Sequence, residues 1–206
     1  MTRNLLDVNA ASQALSRVAD ICESMGLTYF VDSGTLLSAY RDKTINIYDH
    51  DIDVRIFRDE VDGEGEAELV KRLWQAGFRL IVASNERQIG AGHPLGTGIN
   101  LDLKFCERDN EHVWYYCWRE PDPIPAIHLY PRSFFDNMGT IELLGRVYAC
   151  PTPIGEYIEY HYGKDWREFK VRVEDADECD MSWDYMKGPP CSLSLTEFIA
   201  MKHSSG

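Results

Sequence analysis

The chain has 206 residues, 44% of them hydrophobic, and carries a formal net charge of −13 from 34 acidic and 21 basic side chains. That length suits one domain with at most a small appendage, and the apolar share is enough for a real core. The acidic balance lacks the basic footprint of a nucleic-acid binder, no apolar run approaches the ~20 residues of a membrane helix, and an anionic substrate would meet long-range repulsion unless bound cations offset it.

Residues 1–6 lack the apolar stretch of a secretion signal, so the expected location is cytoplasmic. The six cysteines, Cys22, Cys106, Cys117, Cys150, Cys179 and Cys191, include no Cys-x-x-Cys pair, and no histidine cluster has zinc spacing. Cys22, Cys106 and Cys117 sit among apolar residues and read as buried thiols. In chain order, residues 8–25 predict a helix, because Leu15, Val18, Cys22 and Met25 recur at steps of three and four, and Gly26 stops it. Residues 27–31 form an apolar strand. The turn Asp32-Ser33-Gly34-Thr35 leads into a helical run over 36–41, and 45–48 is a link. Residues 51–57 read as a strand and the acidic, glycine-containing 58–65 as a loop. A second helix over 66–76 turns Leu69, Leu73 and Trp74 inward and stops at Gly77. Residues 78–83 are a strand. Residues 84–98 are a loop, either lying over a pocket or making a surface excursion.

Residues 99–105 alternate cleanly, with Leu101, Leu103 and Phe105 on one face and Asn100, Asp102 and Lys104 on the other. A turn at 107–110 joins them to an aromatic strand over 112–118. Residues 121–125 are a proline-rich break. A hairpin follows, 140–144 and 146–150 about Gly145. Ile154, Ile158 and Tyr162 then mark one face of a helix over 154–162, with Tyr157 beside them. The expected boundary lies at residue 168: a folded domain over 1–168 and an acidic C-terminal tail over 169–206.

The stretch from Ser33 to Val54 carries the chemistry. Asp51 and Asp53 share one strand face, and two carboxylates so placed repel each other unless a cation sits between them. Hard oxygen ligands suit Mg²⁺ or Mn²⁺. Asp102 supplies a third strand carboxylate and completes the triad expected of metal-assisted phosphoryl chemistry. Upstream, Gly34 permits close backbone approach, and the free N–H groups that start the next helix favour an anion, so Ser33, Gly34 and Thr35 are candidates to cradle phosphate. Arg41, Lys43, Arg55 and Lys104 lie near the acidic cluster in sequence; each is either a surface charge or a local counter-charge, with Arg41 and Lys104 the candidates to neutralise a transferred group. Tyr157, Tyr162 and Trp166 either pack the last helix or line a site for the acceptor or a quaternary ammonium head group. His50 either touches the donor or is an exposed loop histidine.

These residues resemble the LicD/fukutin family. The similarity runs over roughly residues 10–168: an apolar strand, Gly34-Thr35-Leu36-Leu37, a short helix ending in Arg41, Lys43 two residues on, then the strand Asp51-Ile52-Asp53-Val54. Asn100-Leu101-Asp102-Leu103 resembles the family's third-carboxylate strand, and the block from Phe134 to Trp166 its hairpin, proline, helix and Tyr-Gly-x-Asp-Trp ending. Two departures stand out: Ser33-Gly34-Thr35 replaces the usual Gly-Gly-Thr, and His50 interrupts the usual acidic run. The resemblance implies an α+β, nucleotidyltransferase-like mixed sheet with flanking helices and a C-terminal hairpin-helix extension. It also implies an enzyme that moves a phospho-substituent, phosphocholine or a polyol phosphate, from a nucleotide diphosphate donor, typically CDP-linked, to a glycan hydroxyl. On that reading Asp51 and Asp53 hold one or two Mg²⁺ (or Mn²⁺), while Asp102 holds a second metal or acts as general base. A nucleotidyltransferase modifying a small molecule or protein would share the triad, as would an inactive ligand-binding module of the same fold. A glycosyltransferase would not need the Ser-Gly-Thr turn or the third strand carboxylate.

Overall fold

The computed structural model describes residues 5–49, 51–61, 63–83, 88–92, 99–117, 126–169 and 191–204, with 81–83 and 88–92 described as backbone only. His50, the proline-rich break at 121–125, Cys179 and most of the expected loop over 84–98 lie outside these residues, as does the acidic stretch 174–178.

The fold opens on α1 (Val8–Ser24), which starts where the Asp7 carboxylate accepts hydrogen bonds from the backbone N–H groups of Asn9 and Ala10 at 2.9 and 3.1 Å. Ala11, Ala14, Leu15, Val18 and Cys22 form its buried stripe, and Gly26, at φ +69°, ends the turn that follows. Next come β1 (Tyr29–Val31), α2 (Ser33–Arg41) and β2 (Asp51–Phe57). α3 spans Gly63–Gln75 and begins earlier than expected: Glu64, read as a loop residue, joins Glu66 in its first turn, where carboxylates favour the helix dipole. Leu69 and Leu73 are buried as expected, but Trp74 is 69% exposed. One residue beyond Leu73 is about 100° round the helix, which turns the indole away from the stripe.

β3 (Arg79–Ala83) pairs with β4 (Gln88–Gly92), a strand inside the expected loop. Its Gly90, Ala91 and Gly92 offer little of the side-chain pattern by which strands are read. β5 (Asn100–Arg108) is the long central strand. Its first part lies between β2 and β4, and Glu107 and Arg108 pair with β6 (His112–Cys117). β7 (Ala126–Pro131) pairs with β6, and β10 (Ser192–Leu193) adds to its other edge. The order is β1-β2-β5-β6-β7-β10, with β4 and β3 attached beside β5; β2–β5 is the parallel pair of this otherwise antiparallel sheet. This is an α+β mixed sheet with flanking helices.

A separate hairpin, β8 (Gly139–Leu143) and β9 (Arg146–Cys150), turns at Leu144 and Gly145, whose φ values of +52° and +81° match a two-residue turn with the twist of its strands. Arg146 ties it to α1 through Asp20 at 2.6 Å and Glu23 at 2.9 Å. α4 (Ile154–Tyr162) follows with the expected bounds, and packs against α2. The segment expected as a tail contributes β10 and then α5 (Leu195–Ser204). Phe198 of α5 packs against Trp114, with ring centroids 5.3 Å apart and the rings tilted, and joins Ile127 and Leu129 in a small second core, and Lys202 pairs with Asp109. Among the described residues the cysteines are free thiols, with Cys22, Cys106, Cys150 and Cys191 buried and Cys117 half-buried. No described helix is long and apolar enough to cross a membrane.

Candidate active site

Strand alternation sends Ile52, Val54 and Ile56 into the core and puts Asp51, Asp53 and Arg55 on the other face of β2. Because β5 runs parallel to β2 in the register Asp53 opposite Asp102, the third carboxylate arrives on the same face, one strand over. One carboxylate oxygen from each of Asp51, Asp53 and Asp102 lies within 4.8 Å of the others, an all-oxygen set of the kind a hard divalent cation takes. Asp53 is buried and the other two are half-buried. The electrostatic cost is visible in their acidities. Burial, then repulsion from Asp53, Asp49 and Asp102, pushes Asp51 well above the usual carboxylate range. Burial pushes Asp53 up to about 6, although Arg55 and Lys104 pull the other way. A metal at this point would remove the repulsion.

The first turn of α2 stands against this cluster. A Cβ on Gly34 would lie 2.5 Å from Asp49 Oδ2 and 4.0 Å from Asp53 Oδ2, so any larger residue there would push the Asp49 carboxylate out of its present place. Asp49 is thereby a fourth carboxylate of the site, hydrogen-bonded to Asp51. Thr35 is buried and works inward: its Oγ1 accepts the Asp53 N–H at 2.9 Å and locks α2 to β2. Ser33 sits at φ +47°, in the left-handed region, where glycine costs nothing and serine costs about 1 kcal/mol. That is the physical reason for a Gly-Gly-Thr pattern; here the serine hydroxyl instead accepts a hydrogen bond from Arg55 at 2.9 Å.

Arg55 is the cation of the site. Its guanidinium is 1% exposed, lies 3.1 Å from Asp32 Oδ2 and 3.2 Å from Asp53 Oδ1, and rests over the Tyr115 ring at 4.5 Å. Asp32 is fully buried at the start of α2 and also accepts the Tyr157 hydroxyl at 2.6 Å. Burial alone would raise its carboxyl, but the Arg55 charge and the Tyr157 hydrogen bond hold it below the usual range. Lys104 stands 3.5 Å from Asp102. The other expected cations have partners at the end of α2. Arg41 gives its fork to Asp42 at 2.7 and 2.9 Å and an N–H to the Trp166 carbonyl, and Lys43 folds back onto the Tyr40 carbonyl at the end of α2.

Of the aromatic candidates, Tyr157 is buried behind the site as the Asp32 partner, and Trp166 is buried against Tyr40. Tyr162 is buried within electrostatic reach of Asp53 and Asp49; burial and those charges keep its hydroxyl protonated. His50 lies outside the described residues. Sequence reasoning passed over Asp32 and Asp49 as site residues and left Arg55 between a surface charge and a local counter-charge. The signal for Arg55 was present: it shares the alternating face of Asp51 and Asp53.

With a mixed sheet, three strand carboxylates and a helix start aimed at them, the site is of the nucleotidyltransferase type. The model of the LicD/FKTN/FKRP family, nucleotidyltransferase domain, matches residues 26–153, and the chain belongs to that family. Curated relatives include the ribitol-5-phosphate transferases FKTN of Macaca fascicularis and Homo sapiens, each 24% identical over 183 residues, and that of Mus musculus, 22% identical over 182. These matches cover 88, 88 and 87% of this chain but 36% of each relative, so the chain spans about a third of their length. Among solved structures, the antibiotic-resistance factor ANT(2'')-Ia in solution is similar at 16% identity and TM-score 0.47, covering 70% of this chain and 66% of that one. ANT(2'')-Ia in complex with adenylyl-2''-tobramycin is similar at 17% and 0.46, covering 72% and 76%.

Proposed function

We propose that the chain is a metal-dependent transferase that moves a phospho-substituent, of the polyol-phosphate or phosphocholine type, from a CDP-linked donor to a glycan hydroxyl. The observation that carries the reading is the convergence of Asp51, Asp53 and Asp102 oxygens within 4.8 Å, on two parallel strands, beside the Gly34 turn. Membership of the LicD/FKTN/FKRP family and the ribitol-5-phosphate transferase names of its relatives support a phosphate-transferring enzyme acting on glycans.

The all-oxygen donor set and the mutual repulsion that, with burial, pushes the Asp51 and Asp53 carboxyls above their usual range fit Mg²⁺ or Mn²⁺. Asp51, Asp53 and Asp102 would hold the ion, which when bound supplies charge neutralisation at the pyrophosphate. The backbone N–H groups at the start of α2 orient the donor phosphate. Arg55 fixes the Asp53 carboxylate, and Lys104 places a positive charge beside Asp102. In the transfer, the acceptor oxygen bonds to the phosphorus that carries the alcohol while the bond to the cytidylate oxygen breaks. CMP leaves, and Asp102, as general base, takes the hydroxyl proton.

The test is a thermal-shift panel of CDP-ribitol, CDP-glycerol, CDP-choline, CTP and ATP, each with and without Mg²⁺ or Mn²⁺. A metal-dependent shift with one CDP-alcohol, lost in Asp51→Ala and Asp53→Ala, is expected, with CMP as the released product. Full turnover in either variant would sink the metal assignment. Pyrophosphate release from a triphosphate would establish nucleotidyl transfer instead, and no shift with any ligand would favour a binding module.

A further inference from the structure

Behind the carboxylate site lies a second group of ligating side chains that sequence spacing concealed. His128 of β7, His161 of α4 and Cys191, at the entry to β10, are all buried, and one ligand atom from each lies within 4.8 Å of the others. We propose that these three residues bind a zinc-class divalent cation, separate from the carboxylate site, that clamps the C-terminal segment to the sheet.

Donor chemistry comes first. Two imidazoles and a thiol suit Zn²⁺, whereas the hard oxygen triad on β2 and β5 suits Mg²⁺ or Mn²⁺, so the two sites sort different metals. Geometry agrees. His161 Nδ1 lies 3.9 Å from Cys191 Sγ, and the nitrogen-to-sulfur edge of a tetrahedral zinc site is about 3.5 Å, so a shift of a few tenths of an ångström closes it. His128 turns its Nδ1 to the Tyr115 hydroxyl at 3.0 Å, which fixes the ring in the way an outer hydrogen bond orients a metal-binding histidine and makes Nε2 the nitrogen it offers. The two histidine rings meet edge to face at 5.5 Å. The Tyr130 hydroxyl, hydrogen-bonded to His161 Nδ1 at 2.6 Å and 3.6 Å from Cys191 Sγ, holds the two ligands side by side, and a bound cation displaces that hydrogen bond.

Placement gives the site a purpose. β10 has two residues, paired with His128 and Ile127, too short a strand to fix the chain end by its ladder alone. A metal held by Cys191, His128 and His161 joins that end to a sheet strand and to α4. α4 also carries Tyr157, which reaches Asp32 and, through it, Arg55 and Asp53. The clamp thus stiffens the rear wall of the active site without touching substrate.

The experiment begins with the chain purified without chelator and analysed for metal. One zinc ion per chain is expected, retained in Asp102→Asn and lost in Cys191→Ser and His128→Gln. Exchange into Co²⁺ should give the thiolate-to-cobalt charge-transfer band in the wild-type chain, and the same band in Asp102→Asn. Chelation should lower the melting temperature by several degrees even in the absence of Mg²⁺. The wild-type cobalt spectrum decides the matter even if a variant fails to fold. Absence of the band, with no zinc retained after dialysis against zinc, would overturn the proposal, as would folded Cys191→Ser and His128→Gln chains that keep a full equivalent.

Discussion

At the scale of single residues, the site turns on Arg55 more than on the cations nearest to it in sequence. One buried guanidinium is shared among Asp32, Asp53 and the Ser33 hydroxyl. A lysine carries the same charge but as a point, without the planar fork that reaches several acceptors at once. Arg55→Lys is therefore expected to leave one buried carboxylate uncompensated, lowering stability by about 3 kcal/mol. Turnover should fall on the order of 100-fold as Asp53 drifts from position. Denaturant unfolding and kcat measured side by side check this; a stable variant with wild-type turnover would show that Asp53 holds its place unaided. Arg41, by contrast, is engaged with Asp42 and the Trp166 carbonyl, a role in fixing the end of α2.

At the scale of elements, α4 and Trp166 shortly after it form the wall behind the carboxylate cluster. Trp166 is buried against Tyr40 of α2. Trp166→Ala should cost about 3–5 kcal/mol and lower the melting temperature by about 10 °C; an unchanged melting temperature with a raised acceptor KM would instead place the indole in a pocket. Elements whose apolar residues repeat with a clean period were legible in advance: β2, the hairpin of β8 and β9, and α4 lie where alternation or a three-and-four step put them. The shared face of Asp51, Asp53 and Asp102 was legible for the same reason, since strand alternation fixes a face, and Gly34 showed in the turn that opens α2. What failed to show was set by distant partners. β4 is glycine-rich and gains its identity from β3 and β5 on either side. β10 exists only because β7 offers an edge, and Trp74 faces outward because α3 has one narrow buried stripe. Asp32 gives no sign of its role in the sequence because its partners, Arg55 and Tyr157, come from other elements.

At the scale of the whole molecule, acidity links folding to the proposed metal binding. In the metal-free protein Asp53 keeps its proton up to about pH 6, against 3.8 for an ordinary aspartate, so the stability that proton brings is present at low pH and is lost as pH rises through about 6. His161 acts in the opposite sense. Burial lowers it from 6.5 to about 4, so the unfolded chain takes up a proton that the folded chain refuses, and stability is lost as pH falls from about 6.5 toward 4. The two effects oppose each other over the same window, and the melting temperature alone reports neither. The Mg²⁺-induced change in melting temperature isolates the carboxylates, because the cation must displace the Asp53 proton. It should be small at pH 5 and grow to a plateau above pH 7. An increment as large at pH 5 as at pH 7 would remove Asp53 from the ligand set.

β5 has a mechanical consequence. It is one stiff rod of nine residues, with Asp102 near one end beside β2 and Arg108 at the other beside β6. Three residues separate Asp102 from Phe105, a lever arm of about 10 Å. A tilt of about 3° around Phe105, applied by the β6–β7–β10 half of the sheet, swings Asp102 by about 0.5 Å, the tolerance within which a functional site must be held. The far half of the sheet is thus a tuning arm: load placed on it reaches the third carboxylate and, through the pairing of β5 with β2, the Asp53 beside it.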